Sequence, residues 1–176
     1  FTVDEETGLT GAFNLGEGMV QGKYLINLDS EDEGEVFIGC AGGIDTTVTF
    51  DYKEEAMPEG LFYFTITVNG LQGGHSGGDI HSNRGNANKI LNRFMWQIAK
   101  ATDLKVASIT GGNLRNAIAR EAMAVAFVPE EFQAEFEEFV KVMEENFRRE
   151  YQVTEPNLAV KAEIAETQPE LVIDEM

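Results

Sequence analysis

From Leu61 onward the spacing of apolar and polar positions predicts a series of elements. LFYFTITVNG alternates with period two and places Phe62, Phe64, Ile66 and Val68 on one face of a strand. After the glycine-rich stretch GLQGGHSGGDIHSNRG, the residues Ala87, Ile90, Leu91, Phe94, Met95 and Ile98 recur at helical spacing. They predict an amphipathic helix of about sixteen residues, with Ser82 or Asn83 as its cap. LKVASIT and REAMAVAFV predict two more strands. VPEEF opens a second helix, with Pro129 in the first turn and Glu130 and Glu131 favouring the dipole. Its buried stripe is Phe132, Phe136, Phe139, Val140, Met143 and Phe147, and NLAVKAEIAE closes the series as a strand. The order β-α-β-β-α-β is the ferredoxin-like plan, one antiparallel sheet with both helices on one face.

Before Gly42 and Gly43 the texture is different. FTVDEE reads as a strand end, TGLTGAFNLGEGM as weakly helical, and KYLINLD as a short apolar strand running into the acidic DSEDEGE. This predicts a short βαβ edge of a parallel sheet, with carboxylates at the strand ends where such sheets bind ligands. TTVTFDY alternates as a further strand. The fold class is therefore α/β (α+β), divided into residues 1–44 and 45–176.

Composition narrows the function classes. At 176 residues with 43% hydrophobic positions, the chain can bury a core. A net charge of −18 argues against nucleic acid and anionic membrane, which select cationic surfaces. No apolar run approaches the roughly 20 residues of a membrane span. The single Cys40 excludes an internal disulfide, suits a reducing cytoplasm, and is expected to be a small buried hydrophobe. The first residue is Phe rather than Met, so a piece of something longer is expected.

Several residues could carry chemistry. Adjacent Glu5 and Glu6 at a strand end point in different directions, so one can ligate a metal while the other serves as general base. Asp29 ends the next strand and could share a cation with Glu6. From the residues alone, a solvated acidic turn is the better account of each of these. His75 stands in GGHSGG, where an imidazole could donate a hydrogen bond to a developing oxyanion or be incidental to a mobile loop. His81 reads as structural. Asn113, Arg115, Asn116 and Arg120 crowd the turn ITGGNLRNAIARE, where they could bind a substrate carboxylate or only their own backbone.

Taken together, FTVDEETGLTGAF, YLINLDSEDEGEVFIGCAGG, GLQGGHSGGDIH with NRGNA, and GGNLRNAIARE resemble the aminoacyl-histidine dipeptidases. These are the peptidase D or carnosine-type members of the di-zinc metallopeptidases related to carboxypeptidase G. The resemblance implies that residues 1–44 belong to the catalytic domain and 45–176 to a lid that forms a homodimer. It implies Glu5 as general base, Glu6 and Asp29 as zinc ligands, His75 as oxyanion donor and Asn116 as a substrate contact. The family usually carries Pro where Ala119 stands here. Two zinc ions per complete site and a dipeptide substrate follow from the same resemblance.

The family's H-x-D segment, bridging Asp and late His do not occur in this sequence. This chain alone is therefore expected to be inactive, with the zinc dipeptidase activity residing in a longer parent. The alternatives are a non-catalytic ferredoxin-like dimerisation or ligand-binding module, and a related amidohydrolase of N-acyl amino acids.

Overall fold

The computed structural model describes residues 3–4, 8–29, 32–40, 42–164 and 169–173. The chain divides into two compact units, Phe1–Val48 and Thr49–Met176. Within the first, the described residues include the helical turn α1 (Thr10–Phe13) and form no strand. Of the expected βαβ edge, the KYLINLD strand is not formed among the described residues, and most of FTVDEE lies outside them. Tyr24, Leu25, Ile26 and Leu28 of KYLINLD are exposed. A run that is apolar on both faces needs a ladder partner on each side and cover above and below, and the described residues of this unit supply neither. Cys40 is free and exposed rather than buried, because no side-chain layer surrounds it in this unit.

The second unit carries the fold. TTVTFDY is not a strand, and Val48, Phe50 and Tyr52 are exposed; the first strand is instead β1 (Glu54–Ala56). It pairs antiparallel with β8 (Leu171–Ile173), which supplies the ladder partner that alternation alone could not. The main sheet contains β2 (Leu61–Asn69), β4 (Lys105–Gly111), β6 (Ala122–Pro129) and β7 (Ala159–Ile164) in the order β4-β6-β2-β7. All three pairings are antiparallel, with β2 flanked by β6 and β7. With helices α2 (Ala87–Ala101) and α3 (Gln133–Tyr151) between the strands, this is the expected ferredoxin-like arrangement.

The period-two side of β2 builds the core. Phe64, Ile66 and Val68 are fully buried and cluster with Ile90, Leu91, Phe94 and Ile98 of α2 and Phe136 and Phe147 of α3. Both helices therefore cover one face of the sheet. Each of these large apolar side chains contributes about 1.5–3 kcal/mol on burial. The cap of α2 differs from expectation: Asn86 is the N-cap, its side chain accepting from the Lys89 N–H at 3.3 Å. Ser82 lies in a short 3-10 turn, and Asn83 closes that turn in the left-handed region, so neither can cap the helix. On the opposite face Phe127 is also fully buried, with its ring 6.3 Å from that of Tyr63. The β8 strand lies beside β4, and its Val172 is buried.

A surface clamp joins the two helices. Arg93 donates two hydrogen bonds of 2.8 Å to the Glu150 carboxylate and lies over the Phe147 ring at 5.0 Å. The hydrogen bond from Arg93 holds the Glu150 carboxyl below its ordinary value, against the opposing effect of partial burial. A depressed folded pKa contributes stability above the unfolded value of about 4.3, lost as pH falls through the folded value. Both side chains are nearly half exposed, so screening limits the effect. Glu150→Gln is expected to cost at most about 1 kcal/mol at neutral pH. The difference from wild type should vanish in urea melts at acid pH.

Candidate functional site: the glycine loop and its histidine

The glycine loop leaves β2, makes the two-residue strand β3 (Gly74–His75), and ends where α2 begins. β3 pairs antiparallel with β5 (Ala117–Ile118), placing His75 opposite Ala117. The Ser76 N–H donates to the Asn116 carbonyl at 2.9 Å. His75 and Asn116, distant in sequence, therefore meet at one exposed tip. Arg115 and Arg120 are exposed as well, and the aliphatic part of Arg120 packs against Gly73.

The glycines permit close packing rather than looseness. Gly74 has φ of +138°, and a Cβ there would strike the Arg84 guanidinium and the Asp79 carboxylate. The His75 N–H donates to Asp79 Oδ2 at 2.8 Å, and the Asp79 N–H donates back to the His75 carbonyl at 3.0 Å. Arg84 pairs with Asp79 Oδ1 at 3.0 Å and donates to the Gly73 carbonyl at 2.6 Å. The segment is a built turn, and its many glycines let side chains of the same loop lie flat against its backbone.

The turn also sets the chemistry of the ring. The N–H groups of Gly77 and Gly78 each donate to His75 Nδ1 at 3.0 Å. An Nδ1 that faces two donors cannot itself carry the proton, so the neutral imidazole is the Nε2–H tautomer. An imidazole in that state is a hydrogen-bond donor at Nε2. A metal-binding Nε2 requires the opposite tautomer, with Nδ1–H donating to an acceptor.

The base of the loop is held by a buried carboxylate. Glu155 is 2% exposed. Its Oε2 accepts the Gln72 N–H at 2.8 Å and its Oε1 accepts the Gly85 N–H at 2.7 Å. The Gln72 side chain also donates to the Thr154 carbonyl. One residue thus ties both ends of the loop to the end of α3. At Gly85 a Cβ would meet Leu71 at 2.8 Å and Glu155 at 3.2 Å, so the close approach needs glycine.

Glu5 and Glu6 lie outside the described residues. Asp29 is exposed, and its N–H donates to Asn27 Oδ1 at 3.0 Å. Among the described residues no three His, Cys, Asp or Glu side chains converge on a point that could hold a metal ion. Nor, among them, is any helix long and apolar enough to cross a membrane. Sequence reasoning gave no role to Asp79, Arg84 or Glu155. The one available signal was an Asp four residues after His75 in a glycine turn, a spacing that suits side-chain capping of the backbone. Nothing marked Glu155.

A ferredoxin-like domain thus carries a glycine finger beside an Asn-bearing turn. Residues 60–155 match the M20 peptidase dimerisation domain, and the chain belongs to that family. It is 45% identical over 159 residues to the cytosol non-specific dipeptidase of Escherichia coli (strain K12), covering 90% of this chain and 33% of that protein. The crystal structure of aminoacylhistidine dipeptidase from Vibrio alginolyticus matches at 44% identity with a TM-score of 0.81, over 98% of this chain and 35% of that one. The chain thus spans about a third of the length of these relatives. Both are dipeptidases by name, in line with the resemblance carried by the glycine-loop and GGNLRNAIARE motifs.

Proposed function

We propose that this chain forms the dimerising lid, with an adjoining catalytic segment, of a cytoplasmic zinc dipeptidase that hydrolyses short peptides such as aminoacyl-histidines. The observation that carries this reading is the His75 ring, an exposed imidazole kept as an Nε2–H donor by two backbone amides. Such a donor suits the oxygen that gains charge when water attacks an amide carbonyl. Asn116 at the same tip would orient the substrate. Glu5 would take the proton of the attacking water and pass it to the leaving amine. The lid would bring His75 to the reacting carbonyl by closure or from the partner subunit of a homodimer.

The described residues do not by themselves build a zinc site, since Asp29 is the only one of the assigned ligands among them and it stands alone. Glu6 and Asp29 as zinc ligands are therefore a proposal about the assembled protein. The test is hydrolysis of a dipeptide panel by the full-length protein with and without a chelator. Hydrolysis of aminoacyl-histidines that is lost on chelation and restored by zinc is expected. A zinc-loaded dimer that cleaves no dipeptide would make the domain a binding module, and a preference for N-acyl amino acids would make the protein an amidohydrolase.

A further inference from the structure

Asp79 and Arg84 take no part in the chemistry assigned above, yet both are less than a third exposed on the side chain and converge on the backbone around His75. Asp79 grips His75 twice, through its carboxylate on the His75 N–H and its own N–H on the His75 carbonyl. This closes residues 75–79 into a turn and brings the Gly77 and Gly78 amides to Nδ1. Arg84 joins that turn to the fixed backbone before β3, one nitrogen on Asp79 and another on the Gly73 carbonyl. Its neighbour Gly85 is held in turn by Glu155. Without such a brace, a segment this rich in glycine would sample many backbone states, and the two amides would leave the ring.

We propose that Asp79 and Arg84 are a positioning pair for His75, keeping the turn closed so that the ring is presented as a fixed Nε2–H donor. This rests on the reading of His75 as oxyanion donor, whose value depends on needing no reorganisation as charge develops. Neither residue touches the reacting atoms; both act through the turn.

The test uses the ring nitrogens directly. This chain has two histidines, and His75→Gln and His81→Gln identify their signals in nitrogen-15 spectra of the labelled full-length protein. Under alkaline conditions, where the rings are neutral, His75 is expected to show the widely split nitrogen shifts of one tautomer. In Asp79→Ala and Arg84→Gln this split should shrink towards tautomer averaging, with His81 signals and thermal melting unchanged. In the full-length dipeptidase, Arg84→Gln should lower kcat about 10–100-fold, with KM and zinc content held. An unchanged split in both variants overturns the proposal. Should either fail to fold, Arg84→Met keeps the apolar stem and removes every donor, and an unchanged split there overturns it equally. A shrunken split combined with a fully active His75→Ala enzyme would instead overturn the oxyanion reading and leave the pair standing.

Discussion

On the function proposed above, His75→Ala is expected to lower kcat of the full-length protein on dipeptides by about 10²–10³-fold, the loss associated with one oxyanion donor. KM should change little, because a donor aimed at developing charge binds the transition state more than the substrate. Zinc content should be unchanged. The reason is on the ring itself: with Nδ1 occupied by the Gly77 and Gly78 amides, the neutral imidazole carries its proton on Nε2 and has no lone pair there for a metal. His81→Ala serves as the control, since that exposed histidine belongs to the 3-10 turn and should leave kcat near wild type. Loss of zinc in His75→Ala, with the fold intact, would show that the ring is a ligand. An unchanged kcat would show that the loop binds without assisting chemistry.

Glu155→Ala is expected to destabilise the domain by about 2–4 kcal/mol, measured as a shift in urea midpoint with the slope unchanged. The side chain is buried, and its removal leaves the Gln72 and Gly85 N–H groups without their acceptor. Buried donors left unpaired cost about 1–3 kcal/mol each, offset in part where water enters the space. Glu155→Gln should be milder but still destabilising, because its amide offers one acceptor and turns two donors towards a second N–H. Both variants should also loosen the His75 turn, since they release the two ends of the glycine loop. A cost below about 0.5 kcal/mol for Glu155→Ala, within the range of an ordinary surface change, would remove this carboxylate from the architecture.

The four-stranded sheet and its two helices were legible in the sequence because their signals were periodic. Phe64, Ile66 and Val68 at period two and Ile90, Leu91, Phe94 and Ile98 at helical period are the residues that fill the core. The same reasoning failed for KYLINLD and TTVTFDY. There the apolar pattern was present, but a strand also needs a ladder partner, and periodicity cannot say whether one exists. It failed at the start of α2 as well. Ser82, Asn83 and Asn86 are all competent caps, and the choice went to Asn86 because Ser82 and Asn83 are taken up by the preceding 3-10 turn and Gly85 is held by the remote Glu155.

For the candidate site, the sequence by itself determined which residue types are present: a histidine among glycines, an Asn-bearing turn, and an order of strands and helices that could bring the two together. Residue types and local spacing carry that information because they are properties of the chain. Only the tertiary structure decided what the histidine is. The pairing of His75 with Ala117, the grip of Asp79 and Arg84 on the turn, and the hold of Glu155 on Gln72 and Gly85 join segments up to 83 residues apart. A proton on Nε2 rather than Nδ1 follows from two amide groups lying 3.0 Å from one ring nitrogen. Loops that turn sharply at glycine have many backbone states open to them, and long-range hydrogen bonds, which local sequence does not encode, select the one that is populated.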